Sequence, residues 1–364
     1  MSDRIRFVMI GGFLGAGKTT TLAGLARRYQ QQGKHVCIVT NDQAADLVDT
    51  HLLKSYGYDV EEVAGSCFCC NFNGLTAAME QFEKRQRPDV ILAEPVGSCT
   101  DLVATVAMPM MNLLGEHFEM SPYAVVLKPS HGLKILSGTG RGFSPKAEYI
   151  FRKQLEEADV VLINRIDELP ADQVDLLERL LLEQYPQLSV LRMSAKTGEG
   201  LDKLQQVLAE SAPAGKSMME VDYDIYAEGE AELGWLNAGL RVTSADTFHL
   251  DPFLVELIEA LRESLLGVDA EPAHLKVIGQ VDGTAAVANL VSSDTPVTLS
   301  LASELATREA DLVVNARVAI DPELLQKIVL QAVAELATRY HATAHVNSVQ
   351  SFRPGRPVPT HRVR

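Results

Sequence analysis

The 364-residue chain reads as an α/β protein: a doubly wound, mostly parallel sheet over residues 1–212, then a smaller α+β domain over residues 233–352. Three observations predict this. Short apolar runs alternate with amphipathic helical segments through the first part, which is the rhythm of βαβ units. A glycine-rich loop joins the first apolar run to the first helical one. Beyond residue 232 the order becomes strand, helix, two strands, an irregular stretch, strand, helix, strand. That order suits an α+β sandwich, with a ferredoxin-like arrangement as one solution.

The elements follow in order. An apolar, β-prone run at residues 5–10 enters Gly12-Phe13-Leu14-Gly15-Ala16-Gly17-Lys18-Thr19, which matches G-x-x-x-x-G-K-[ST] without a gap. Leu22, Leu25, Ala26 and Tyr29 recur at helical spacing after it. Strand, glycine loop and helix together make a P-loop NTPase fold the expectation. Gly12, Gly15, Ala16, Gly17, Lys18, Thr19 and Thr20 are the candidate phosphate-binding set. Glycines let backbone N–H groups curl around phosphates, and the helix N-terminus adds its dipole. Lys18 would reach the β- and γ-phosphates, and the Thr19 hydroxyl would sit on Mg²⁺. Further strands are expected at residues 35–40, 90–94, 124–127, 160–164 and 189–193, with helical segments at 75–85, 145–157 and 172–184. Ligands of such sheets bind at the carboxyl ends of the strands.

Three further motifs fall at those ends. Glu94 closes the apolar run 90–94, and Asp42 follows the run 35–40. A carboxylate in either place can hold Mg²⁺ or position a water; the alternative role is helix capping. Gly97 would bring a backbone N–H to a γ-phosphate. Asn164-Arg165-Ile166-Asp167 follows the run 160–164. The Asp167 carboxylate can accept from guanine N1–H and its exocyclic amine, which adenine does not offer. Asn164 can fix the loop and reach the other edge of the base, the Arg165 stem can cover the base, and Ser194-Ala195-Lys196 can present N–H groups to the guanine carbonyl. Finally, Gly65-Ser66-Cys67-Phe68-Cys69-Cys70 places three thiols on one short loop. Thiolates select Zn²⁺ or another thiophilic ion, and three of them leave a fourth position for a ligand from elsewhere. The competing readings are three small buried hydrophobes or a redox site. Cys37 lies in a strand and reads as core; Cys99 can approach either the nucleotide or the thiol loop.

Composition bounds the rest. A formal net charge of −15 argues against broad contact with nucleic acid or anionic lipid. No apolar stretch is long enough to span a bilayer, and the N-terminus leads straight into a strand, so a cytoplasmic protein is expected. The five cysteines are then expected to be free of structural disulfides. Residues 213–232 read as a linker, and the basic, proline-rich tail 353–364 as extended or disordered.

The four motifs, in this order, resemble the CobW-type metal-centre GTPases, relatives of the UreG and HypB accessory GTPases. The resemblance covers residues 5 to about 210 and rests on Gly11 to Thr20, Gly65 to Cys70, Glu94 to Gly97 and Asn164 to Asp167. It implies a GTPase that uses GTP and Mg²⁺, yields GDP, and handles Zn²⁺, Co²⁺ or Ni²⁺ for a client metalloprotein, with a homodimer as one oligomeric option. It implies phosphate and Mg²⁺ roles for Lys18 and Thr19, a catalytic switch at Glu94, guanine reading at Asp167 and metal binding at Cys67, Cys69 and Cys70. Pro95 stands where the family has serine, Arg165 where it has lysine, and Asn41-Asp42 where CobW members have Asn-Glu. Three other functions stay in view: a GTP-dependent activation factor for a corrinoid or other metalloenzyme with a structural metal, a P-loop small-molecule kinase, and a passive zinc-binding protein with an inactive nucleotide site.

Overall fold

A computed structural model describes residues 4–43, 48–138, 144–210, 219–293 and 295–363. The chain divides into two compact units that interleave in sequence. One comprises residues 1–43, 58–229 and 356–364; the other comprises 44–57 and 230–355.

The first unit opens with β1 (Ile5–Gly12) and α1 (Lys18–Gln31), then β2 (Val36–Asn41). After α2 (Val48–Ser55), which belongs to the second unit, come β3 (Asp59–Val63), α3 (Phe72–Arg85) and β4 (Val90–Glu94). A π-helical turn at Val103–Ala107 leads into α4 (Met108–Leu114), β5 (Phe118–Met120) and β6 (Ala124–Leu127). Then follow α5 (Pro129–Leu136), α6 (Pro145–Glu157), β7 (Val160–Ile163), α7 (Ala171–Gln184), β8 (Ser189–Arg192), α8 (Leu201–Ala209) and α9 (Tyr223–Glu230). The strands lie in the order β3-β2-β4-β1-β6-β7-β8, every pair parallel, with β5 also beside β1. The central strands are buried along their length apart from Arg6 of β1, as expected when helices cover both faces. Their continuous apolar runs made them legible. The half-buried β3 and the short β5 lack such runs and were not expected.

The second unit contains β9 (Gly234–His249), α10 (Leu250–Leu266), β10 (Pro272–Val281), β11 (Thr284–Leu290), β12 (Thr298–Leu301), β13 (Ala306–Val318), α11 (Pro322–Arg339) and β14 (Ala342–Phe352). Its sheet is antiparallel throughout, in the order β12-β11-β10-β13-β9-β14. Leaving aside β11 and β12, the sequence strand-helix-strand-strand-helix-strand is arranged 4-1-3-2, the ferredoxin-like order. Leu254, Leu257 and Leu261 of α10 and Val329, Val333 and Leu336 of α11 form its core with the strands. Another apolar cluster joins Val48 and Leu52 of α2 to Ile278, Ala285 and Val287. The Val48 N–H donates to Asn315 Oδ1 at 2.6 Å, and Asp49 is ion-paired with Lys276.

The linear partition into domain, linker, domain and tail therefore needs adjustment. Long-range packing takes α2 into the second unit and residues 356–364 into the first. Residues 223–230 of the expected linker are helical, while residues 211–218 lie outside the described residues. Residues 353–363 form neither helix nor strand.

Candidate functional site

The phosphate loop turns through positive φ at Gly12, Gly15 and Gly17. A Cβ on Gly17 would stand 2.4 Å from Asn164 Nδ2, so that side chain can come up against the loop only because residue 17 is glycine. Asn164 is committed to scaffolding: Nδ2 donates to the Ala16 carbonyl at 2.8 Å, and Oδ1 accepts from the Ala195 N–H at 2.9 Å. One buried amide thus ties the phosphate loop to the loop of Ser194, Ala195 and Lys196. Arg165 adopts a left-handed backbone, donates to the Gly15 carbonyl at 3.3 Å and pairs with Glu168. Asp167 is exposed beside it on a single 3₁₀ turn, where its carboxylate can meet an incoming base.

Lys18 and Thr19 are buried at the start of α1, and Thr20 beside them is exposed. The Thr19 hydroxyl donates to Glu94 Oε1 at 3.1 Å. β1 and β2 both flank β4, with Met9 opposite Ala93 and Thr40 opposite Glu94, so Thr19, Glu94 and Asp42 emerge from one end of the sheet. All three are buried oxygen donors, a set that suits Mg²⁺. Gly97 approaches the loop so closely that a Cβ there would lie 2.9 Å from Lys18 Nζ. Gln154, buried on α6, holds that segment by donating to the carbonyls of Gly97 and Cys99 at 3.0 and 2.8 Å.

The thiol loop lies beyond β3. Its backbone closes through Cys70 N–H and Asn71 N–H donating to the Cys67 carbonyl, and Asn71 caps α3 by accepting from the Gly74 N–H at 2.9 Å. Cys67 and Cys69 are buried with sulfurs 2.7 Å apart, and Cys70, half-buried, lies 3.7 Å from Cys69. All three sulfurs lie within 4.8 Å of one another. Tetrahedral zinc with bonds of about 2.3 Å needs sulfurs about 3.8 Å apart. The Cys69–Cys70 pair already meets that spacing, and the Cys67–Cys69 pair reaches it by opening about 1 Å. The donor set thus fits a thiophilic ion. Crowding holds protons on two of the thiols: hydrogen bonding with Cys67, Cys70 and Cys99 pushes Cys69 well up, and hydrogen bonding with Cys67 pushes Cys70 up to about 11. Cys99, buried, therefore belongs beside the thiol loop.

A second group, His35, Cys37 and Asp59, lies toward the opposite strand ends. Arg85 is ion-paired with Asp59 there, which disfavours a cation. Burial pushes the Cys37 thiol up to about 12, in keeping with a core residue.

Asn41 was missed as a site residue. Its Nδ2 donates to the carbonyls of Val63 and Ser66 at 2.7 and 2.8 Å, and its Oδ1 accepts from the Phe68 N–H at 2.8 Å. The signal was its polarity at the end of a buried apolar strand. Gln154, mid-helix, gave no such signal.

A parallel sheet carrying this loop, with carboxylates at the ends of β2 and β4, defines a P-loop nucleotide-binding protein. Residues 6–192 match the family described as CobW/HypB/UreG, nucleotide-binding domain, and the chain belongs to that family. It is 28% identical over 179 residues to the zinc chaperone YeiR of Escherichia coli K12, covering 47% of this chain and 49% of YeiR. It is 26% identical over 189 residues to the zinc chaperone CobW of a Sinorhizobium species, covering 46% and 52%. The matches thus span about half the length of these relatives. Among solved structures, nickel-bound HypB from Helicobacter pylori aligns at 16% identity and a TM-score of 0.44, over 61% of this chain and 93% of that one. No helix among the described residues is long and apolar enough to cross a membrane.

Proposed function

We propose that this protein is a GTP-hydrolysing metallochaperone: it holds a thiophilic divalent cation, zinc foremost, at Cys67, Cys69 and Cys70, and couples GTP binding and hydrolysis to delivery of that ion to a client metalloprotein. The observation that carries the reading is one dipeptide. Asn41 holds the thiol loop through three hydrogen bonds, and the next residue, Asp42, is a buried carboxylate at the nucleotide end of the sheet.

The roles follow from position. The phosphate-loop N–H groups and Lys18 bind the triphosphate. Thr19, Asp42 and Glu94 would hold Mg²⁺, which would neutralise charge on the β- and γ-phosphates. Glu94 and the Gly97 N–H orient the hydrolytic water and the γ-phosphate. Asp167 reads guanine, Arg165 flanks the base, and Asn164 keeps Ser194, Ala195 and Lys196 in register with the loop. Loss of the γ-phosphate relaxes Asp42, and Asn41 passes that change to the thiols. The zinc-chaperone names of the two curated relatives support zinc as the cargo.

The test is phosphate release from GTP and from ATP, with and without Zn²⁺, alongside zinc titration with and without a non-hydrolysable GTP analogue. GTP-selective turnover and an analogue-dependent zinc affinity are expected. Equal use of both nucleotides, or a zinc affinity blind to the analogue, rejects the reading.

A further inference from the structure

The proline-rich tail alternates residues that lack an N–H with residues that have one: Pro357, Val358, Pro359, Thr360. Proline fixes φ near −65° and holds the preceding residue extended, so this stretch is straight before it docks. Only Val358 and Thr360 can donate from it, and both donate to the thiol loop. The Val358 N–H points to Cys70 Sγ at 3.2 Å. The Thr360 N–H donates to the Cys69 carbonyl at 2.8 Å, and its hydroxyl to the Cys70 carbonyl at 3.0 Å.

The chain then runs on under anchorage. The His361 ring stands edge-on to Phe72, with centroids 5.0 Å apart. Arg362 pairs with Asp101 at 2.7 Å, and Asp101 is only 2% exposed. That carboxylate also accepts from the Tyr223 hydroxyl at 2.6 Å, so the arginine closes a buried charge network. The Val363 N–H donates to the Ala104 carbonyl at 2.9 Å.

We infer that residues 356–363 are a strap forming the outer wall of the thiol site, that the Val358 N–H is a hydrogen-bond donor to Cys70 Sγ, and that a bound cation exchanges only when the strap lifts. The inference rests on the metal-site reading given above. Partners of this kind around metal ligands alter affinity by about 10–100-fold. Arg362 is a positioning residue: it touches no sulfur, but its ion pair keeps the strap down.

Full-length wild type, Arg362→Ala, Val358→Pro and Cys70→Ser test this. Val358→Pro removes the single donor while keeping the backbone extended; far-UV circular dichroism and thermal melting verify folding. Two quantities are read: the rate at which a disulfide reagent titrates the thiols of metal-free protein, and the rate of Zn²⁺ release to a colorimetric chelator. Arg362→Ala is expected to speed both by about tenfold or more, and Val358→Pro to weaken Zn²⁺ binding by about tenfold. In the Cys70→Ser background, adding Val358→Pro is expected to leave Zn²⁺ affinity unchanged. If wild type takes up Zn²⁺ but folded Arg362→Ala shows wild-type thiol reactivity and release, the strap is overturned while the metal site stands. If wild type takes up no Zn²⁺, the metal site falls and the gate with it.

Discussion

The Phe68 N–H donates to Asn41 Oδ1 at 2.8 Å, so a residue at the carboxyl end of β2 holds the centre of the thiol loop. The same amide donates to Val63 and Ser66 on either side of the bend. Because Asp42 follows directly, a displacement of that carboxylate moves the backbone from which the thiol loop hangs. A buried amide with three partners resists rotation, since each lost bond strands a polar group.

Replacing Asn41 by alanine should therefore act on both stability and coupling. It leaves two carbonyls and one N–H without this partner, at about 1–3 kcal/mol for each buried group left unsatisfied. A lowered melting temperature is expected, together with a Zn²⁺ affinity that no longer responds to a GTP analogue. A variant of normal stability and intact coupling would remove Asn41 from this role.

Glu94→Gln should separate binding from turnover. The amide keeps an acceptor for the Thr19 hydroxyl but loses the charge that the proposed Mg²⁺ and water would use. A fall in kcat of about 100-fold or more is expected, with GTP-analogue affinity changed far less. Equal losses in both would mark Glu94 as a binding group alone.

Asp167→Ala should cost GTP affinity by about 1.5–3 kcal/mol, roughly 10- to 150-fold, and leave ATP affinity almost unchanged. Isothermal titration of both nucleotides against both proteins measures it. An equal loss for both nucleotides would show that Asp167 does not read the base.

Zinc affinity should fall steeply on acidification. Cys69 and Cys70 are both held above their ordinary range, Cys70 to about 11, so near neutral pH the metal must displace protons from them. Each displaced proton contributes about a tenfold loss of affinity per pH unit. Competition titrations between pH 6.5 and 8.5 measure the slope, and a flat profile would exclude the thiols as ligands.

Glu157 offers a check on stability alone. Burial pushes its carboxyl up to about 8, although it accepts from Thr100 Oγ1 and the Val103 N–H, both at 3.1 Å. The folded protein thus keeps a proton that the unfolded chain has released, and stability from this group is lost as pH rises from the ordinary value of 4.5 to about 8. Glu157→Gln, which carries no charge, should gain on wild type by up to about 1.4 kcal/mol per pH unit across that window. Urea melts of both proteins at pH 5, 6.5 and 8 provide the comparison.

By itself the sequence determined the class of fold, the phosphate loop and the thiol loop, because each is written in contiguous residues. Apolar runs such as residues 90–94 name buried strands, and the candidate site residues follow at their carboxyl ends. Tertiary structure decided the connections. The topology sets Asn41 against residues 63–68, Gln154 of α6 against Gly97 and Cys99, and Val358 against Cys70. It also took α2 into the second unit, where Val48 and Leu52 find apolar partners more than 200 residues away. A hydrogen bond or an apolar contact between distant segments leaves no local periodicity, and a proline-rich tail is extended whether or not it has a surface to dock on. Only the fold brings the donors of residues 358 and 360 to the acceptors of residues 69 and 70.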